Sequence, residues 1–224
     1  MGLRDSQDVK QALIARLQEV GYIQSDRVRQ AFLTIPRENF ILPEEKKSAY
    51  QDAPLSIGYG QTISAPHMVA IMAEALHVEE GHRVLEIGTG FGYHAAILSY
   101  LVGCHGKIYS IERIHALAEQ AKVNFKKTEI TNVEVFEGDG SLGLPDHAPF
   151  NRIYLTCAAP SIHQSLIKQL TNNGILLAPV GRVFCELTRV QKTKNDMITE
   201  QLGGCAFVPL IGIYGFSNEG SLGK

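Results

Sequence analysis

Short apolar runs alternate with stretches of helical periodicity through the middle of this 224-residue chain, and that alternation limits the fold more than any other feature. Residues 84–87, 108–111, 133–136, 153–156 and 175–179 read as strands, with starts roughly 20–25 residues apart. Between two of them, residues 113–125 put Ile114, Leu117, Ala118, Ala121 and Phe125 on one helical face. A strand and a helix repeated at that spacing predict an open α/β architecture, a mostly parallel sheet with helices on both faces. The units share no internal motif, which excludes a solenoid. After Gly174 the rhythm changes. Residues 183–190 and 205–210 read as strands with no helix between them, a closing antiparallel pair.

The flanks carry other signals. Val9, Leu13, Leu17 and Val20 recur at helical spacing and Gly21 stops the segment. Ser25 can cap a second helix that ends before Pro36. Residues 34–64 hold Pro36, Pro43, Pro54, Gly58 and Gly60 and read as a long loop, ordered by Tyr50, Leu55, Ile57 and Tyr59. Met68, Ile71, Met72 and Leu76 form the apolar face of the next helix. Three regions follow: a helical and loop region at 1–65 packed on the core, the core itself with its closing strands at 66–216, and a frayed polar tail at 217–224.

Composition removes other classes. Hydrophobic residues make up 45% of the chain, enough for one substantial core. With 21 basic against 23 acidic residues, broad electrostatic binding to nucleic acid is not expected. The first residues lack the apolar stretch of a signal peptide, and no run approaches the ~20 apolar residues of a membrane span. Cys104, Cys157, Cys185 and Cys205 lie far apart with no CxxC pair, which predicts buried free thiols in a reducing cytosol rather than zinc ligands or disulfides. The histidines show no metal partner in sequence.

Glycine carries the functional signal. Of 21 glycines, three fall in Gly88-Thr-Gly90-Phe-Gly92, directly after the strand at 84–87 and ahead of a helix. Ligands of α/β sheets bind beyond the carboxyl ends of strands at such a turn, and glycine lets the backbone bend and touch them. The spacing departs from the dinucleotide fingerprint, with Tyr93 in place of the third glycine. Glu86, two residues before Gly88, opposes a pyrophosphate and favours a ligand with a cationic amino group; S-adenosylmethionine has an ammonium and a sulfonium. Glu112 ends the second strand, where a carboxylate can accept both ribose hydroxyls. Asp139 follows the third strand and can accept from an adenine amino group. Singly, Glu112 also reads as a helix-start acid and Asp139 as a turn former. Three acids at successive strand ends favour one shared site.

A second set of motifs is more specific: Ile57-Gly-Tyr-Gly-Gln61-Thr-Ile-Ser64-Ala-Pro-His67, preceded by Ile35-Pro-Arg-Glu-Asn-Phe40 and followed by Gly138-Asp-Gly140, Thr156-Cys-Ala-Ala-Pro160, Ala178-Pro-Val-Gly181 and Phe207-Val-Pro-Leu210. With these in order, residues 28–212 resemble the protein-L-isoaspartate O-methyltransferase family. The resemblance implies a Rossmann-like class I S-adenosylmethionine-dependent methyltransferase fold: a mostly parallel doubly wound sheet with antiparallel C-terminal strands and N-terminal helices. It implies methyl transfer from S-adenosyl-L-methionine, leaving S-adenosyl-L-homocysteine, to the free α-carboxylate of L-isoaspartyl and D-aspartyl residues. The partners would be damaged proteins and peptides, whose esters close to succinimides and return aspartate. The enzyme would be a cytoplasmic monomer with no metal, nucleic acid or membrane partner. An S-adenosylmethionine-binding relative with an altered substrate, or none, is the alternative.

Residue by residue, the resemblance assigns the catalytic role to Ser64 and cofactor binding to Glu86, Gly88, Thr89, Gly90, Gly92, Tyr93, His94, Glu112, Asp139 and Gly140. Substrate contacts fall to Thr62, Ile63, Ala65, Pro66, His67, Val208 and Leu210. Ser64 also reads as an N-cap, and its hydroxyl with free helix N–H groups there would hold a carboxylate oxygen. His67 either lines the site or sits on the first helical turn. Residues 207–210 resemble the segment that pairs with the substrate backbone, and otherwise read as an edge strand. Two positions depart from the common pattern: Cys185 where glutamine is frequent, and Ala206 where arginine is. The carboxylate nucleophile is ionised at neutral pH, with an ordinary pKa near ~4, so alignment rather than base catalysis is the expected task.

Overall fold

The computed structural model describes residues 3–182 and 184–217, so the tail expected to fray lies, apart from residue 217, outside the described residues. Helices α1 (Leu3–Glu19) and α2 (Asp26–Thr34) come first. Gly21, at φ +85°, turns the chain between them, and the Ser25 side chain accepts from the Val28 N–H to cap α2. The buried stripe of α1 is Leu13, Ile14 and Leu17; Val9 and Val20, expected on it, are exposed. At about 100° per residue Val9 points nearly 90° from the centre of that stripe, and Val20 lies past the last helical residue.

Residues 34–64 are more regular than expected. Two short 3-10 turns, Arg37–Asn39 and Pro43–Ser48, lead into an antiparallel hairpin of β1 (Leu55–Gly58) and β2 (Gln61–Ile63). Strands of four and three residues are too short for alternation to reveal them. Ile57 is buried beneath the hairpin while Tyr59 stands exposed at its tip.

Then come α3 (Pro66–Ala75), β3 (Arg83–Ile87), α4 (Tyr93–Val102), β4 (Lys107–Glu112), α5 (His115–Lys127), β5 (Val133–Glu137), β6 (Phe150–Leu155), α6 (Gln164–Lys168), β7 (Leu170–Gly181), β8 (Cys185–Lys192) and β9 (Met197–Cys205). They form one seven-stranded sheet in the order β5-β4-β3-β6-β7-β8-β9, parallel as far as β7 and antiparallel beyond it. This is the doubly wound sheet that the alternation predicted. Side chains alternate across each strand, so two cores form. Val84, Ile108 and Tyr154 join the helices α1–α5 on one face, and Leu85, Ile87, Ile111 and Leu155 pack with α6 on the other. Strand order reverses at β3, which lies between β4 and β6. A crevice opens at such a switch point, beyond the strand carboxyl ends.

The last strand differs from expectation. It is Met197–Cys205, an exposed edge with little apolar patterning, and not 205–210. Residues beyond Cys205 instead cross back over the sheet. The Ala158 N–H donates to the Val208 carbonyl, and the Leu210 N–H donates to the Ala158 carbonyl, both at 2.8 Å. All four cysteines are free; Cys157 and Cys185 are buried as expected, but Cys104 is exposed.

Candidate active site

The turn after β3 is built on glycine because nothing else fits. Gly88 sits at φ +99°, and a Cβ there would strike the Thr156 hydroxyl. Gly92, at φ +93°, is covered by the Phe125 ring. Its N–H donates to the Thr89 carbonyl at 2.9 Å, closing the turn and launching α4. Above this turn lies a cleft with two compartments. The larger, about 540 Å³, is walled by Gly88, Gly90, Ile111 and Glu112 from the sheet, Ile57 and Thr62 from the hairpin, and residues 208–211 from the returning tail. The smaller, about 340 Å³, shares Ile57, Thr62, Gly88, Gly90 and Thr156 and adds Ile63, Ser64, Thr89, Tyr93 and His94.

The three strand-end acids have different fates. Glu112 faces the larger compartment, its two oxygens accepting from the N–H groups of Gly90 at 2.9 Å and Ile114 at 3.0 Å. A carboxylate has about four acceptor sites, so it retains capacity for hydroxyl donors. Glu86 is turned away from both compartments. Its register places it directly between Ser110 and Tyr154 on the helix-covered face, and their hydroxyls donate to its two oxygens. Complete burial outweighs those bonds and pushes its pKa up to about 8. The expectation that Glu86 meets a cationic ligand group gives way to a buried network that reaches Thr89 through Ser110 at 2.5 Å. Asp139 also stands off the cleft wall, although Gly138 and Gly140 line it. One Asp139 oxygen accepts from the N–H and hydroxyl of Ser141, and the other from the Ile213 N–H at 2.7 Å. Despite partial burial, these bonds lower its pKa. The tail therefore holds the carboxylate expected to read adenine.

His94 is the reverse case. Its ring is fully buried against Tyr154, with centroids 4.7 Å apart, and among the described residues neither nitrogen has a partner. Burial pushes its pKa down to about 3, so the ring is neutral, with one donor and one acceptor nitrogen, and the residue borders the smaller compartment. Tyr93 is buried in the same wall, with the Arg37 guanidinium 4.9 Å above its ring.

Ser64 lines the smaller compartment, and no hydrogen bond among the described residues engages its hydroxyl. It is not the helix cap expected. That position is Ala65, which has no acceptor side chain. Asp52 supplies the missing acceptor: one of its oxygens takes the His67 N–H at 2.9 Å and sits 2.8 Å from His67 Nδ1. The N–H groups of Met68 and Val69 bond to the Ala65 carbonyl, so with His67 the first-turn amides of the helix are engaged within the chain. His67 packs beside Tyr22, off both compartment walls, as a first-turn residue.

A family model for protein-L-isoaspartate(D-aspartate) O-methyltransferase matches residues 7–214. The chain belongs to this family. It is 49% identical over 209 residues to the protein-L-isoaspartate O-methyltransferase of Methanococcus aeolicus, covering 93% of this chain and 97% of that one. The enzyme of the same name from Methanothermobacter thermautotrophicus is 48% identical over 212 residues, 93% and 98% of the two chains. A solved protein-L-isoaspartate O-methyltransferase structure superposes with a TM-score of 0.83 at 30% identity, over 92% of this chain and 67% of that one. Another, described as a protein-L-isoaspartate O-methyltransferase from Plasmodium falciparum in complex with S-adenosyl-L-homocysteine, superposes with a TM-score of 0.78 at 25% identity, over 89% and 97%.

Within this member of the protein-L-isoaspartate O-methyltransferase family, the cleft brings together Thr62, Ile63, Ser64, Gly88, Thr89, Gly90, Gly92, Tyr93, His94, Glu112, Gly140, Val208 and Leu210. Ala65, Pro66, His67, Glu86 and Asp139 stand behind it. Val208 and Leu210 line the larger compartment, and one edge of their backbone is already bonded to Ala158. Ile57, Ile87, Ile111, Leu117, Thr156 and Cys157 also line the larger compartment and were not singled out as site residues. Ile57, Thr156 and Cys157 fall within quoted motifs, Ile87 and Ile111 are signalled only by their place at a strand end, and Leu117 only by the apolar face of α5. Two exposed trios, Glu80 with Cys104 and His105, and His115 with Glu119 and Glu137, give two histidines the company that sequence spacing hides, outside the cleft. No helix among the described residues is long and apolar enough to cross a membrane.

Proposed function

We propose that this chain repairs damaged proteins by methylating the free α-carboxylate of L-isoaspartyl residues, and the free side-chain carboxylate of D-aspartyl residues, with S-adenosyl-L-methionine as donor. The observation that carries the reading is the glycine turn beneath a two-compartment cleft in a chain of this family. The residues fit the donor. Glu112 offers acceptor sites for the ribose hydroxyls, and Ile87, Ile111, Leu117 and Leu210 offer apolar walls for a base. The unpartnered nitrogens of His94 suit the amino-acid end, because a buried donor and acceptor left unmet cost about 1–3 kcal/mol each. Gly88, Gly90, Gly92 and Gly140 let the main chain come close, while Thr89 and Tyr93 complete the wall. Glu86 and Asp139 act from behind it, the first bracing the sheet and the second tying the tail to the Gly138–Gly140 turn.

When bound, S-adenosyl-L-methionine supplies a methyl group on a cationic sulfur. The chain's own task is alignment. Ser64 donates its hydroxyl to one oxygen of the incoming carboxylate, and Thr62 and Ile63 of the hairpin flank it. Ile57 and Val69 keep water from that oxygen. Holding the reactants in line is worth up to about 7–11 kcal/mol in favourable cases, and no base is required. The substrate backbone lies along the edge of residues 207–210 that Ala158 leaves open. The chain is proposed to act as a monomer, and its four free thiols suit the reducing cytoplasm.

Paired aspartyl and isoaspartyl peptides incubated with methyl-labelled donor test the reading. Base-labile methanol from the isoaspartyl peptide alone is expected. Equal label on both peptides overturns the substrate assignment, and donor binding without label favours a binding protein that has lost turnover.

A further inference from the structure

Helix α3 begins immediately beyond Ser64, and its first turn is anchored from outside the helix. Proline at its first position has no N–H to satisfy, and alanine at the cap position has no side-chain acceptor. An uncapped start frays, and the residues leading into it lose their direction. Asp52 fills both needs from 15 residues upstream. One carboxylate oxygen takes the His67 N–H at 2.9 Å and lies 2.8 Å from His67 Nδ1. The same contact places a negative charge at the positive end of the helix dipole. It also fastens the turn before β1 to the helix after β2, so the hairpin between them is clamped at both ends.

We propose that Asp52 is the positioning residue for Ser64. Its carboxylate fixes the first turn of α3 and the His67 ring, and Ser64, three residues before His67, then presents its unbonded hydroxyl to the smaller compartment. This rests on the Ser64 role proposed above. Asp52 lies on neither compartment wall, so it acts through the helix start and not on substrate.

The test compares Asp52→Ala, Asp52→Asn, Ser64→Ala and the double variant Asp52→Ala/Ser64→Ala. Each is measured for kcat and KM on an isoaspartyl peptide, for S-adenosyl-L-homocysteine affinity and for Tm. Asp52→Ala is expected to lower kcat by about tenfold or more while S-adenosyl-L-homocysteine Kd stays within about twofold, because the glycine turn does not touch α3's cap. Asp52→Asn keeps an acceptor for the His67 N–H and should recover most of that kcat. The double variant should lose little beyond the worse single variant, since both act on one hydroxyl. Unchanged kcat in Asp52→Ala, multiplicative losses in the double variant, no recovery in Asp52→Asn, or a Tm drop with kcat intact would each overturn the proposal. If Ser64→Ala itself leaves kcat and KM unchanged, it is the Ser64 reading that fails.

Discussion

The sheet-side wall of the cleft is held by ladders of main-chain bonds, whereas the hairpin-side wall hangs on a few side chains. On the sheet side, β3 is paired along its length with both β4 and β6, and the Gly88 N–H continues that ladder to Ile111 at 2.9 Å. Glu112 then ties Gly90 to the start of α5. On the other side, a hairpin of seven strand residues is kept over the cleft by buried Ile57 and Ile63 and by the Asp52 contact at its base. The first wall suits a constant ligand. The second can adapt to proteins of many sequences, and it carries the residue proposed to orient the reacting group.

Substitutions on each wall should separate these roles. Gly88→Val is expected to do most harm, because φ +99° and the Thr156 hydroxyl leave no room for a side chain. Calorimetry should detect no S-adenosyl-L-homocysteine binding, and retained binding would break the account of the turn. Glu112→Ala should follow, raising that Kd by about 100-fold, or about 2.8 kcal/mol, through lost hydroxyl acceptors and two orphaned amides. Ser64→Ala crosses to the other wall. There kcat should fall about tenfold with Kd for S-adenosyl-L-homocysteine nearly unchanged, and an equal loss in both would erase the distinction.

The last effect, on stability rather than on binding or turnover, concerns the bracing behind the sheet wall. Glu86, raised to about 8 by burial, keeps its proton in the folded chain while the unfolded carboxyl releases it near ~4.3. Between those values the folded state binds more protons, so this group's contribution to stability is full at low pH and is lost as pH rises to about 8. Urea midpoints measured at about pH 5 and about pH 8 should therefore converge in Glu86→Gln relative to the parent. An unchanged difference would show that Glu86 does not carry this linkage.

The same division governs what could be read from sequence. The parallel sheet was legible because strand and helix periods differ and repeat. Gly88 to Gly92 was legible because few other residues tolerate that path. Glu86 shows the limit: its type and place were right for a ligand contact, but β-sheet alternation put it on the helix-covered face beside Ser110 and Tyr154. Asp139 shows another, since its partner Ile213 is 74 residues away. The hairpin was too short to show a period, and β9 is an exposed edge without an apolar pattern. Asp52 had no signal at all, because a cap borrowed across 15 residues matches no local motif.

The tail that crosses Ala158 also separates the floor of the cleft from its closure. The larger compartment is closed by residues 208–211, and the second Asp139 oxygen finds its partner in Ile213. Every other wall is encoded earlier in the chain. A chain cut after Cys205 would keep all seven strands of the sheet and the glycine turn, yet have an open trough where the intact chain has a cleft. The floor of the cleft and its closure are thus separable, and a truncation that spares the sheet can still cost the site.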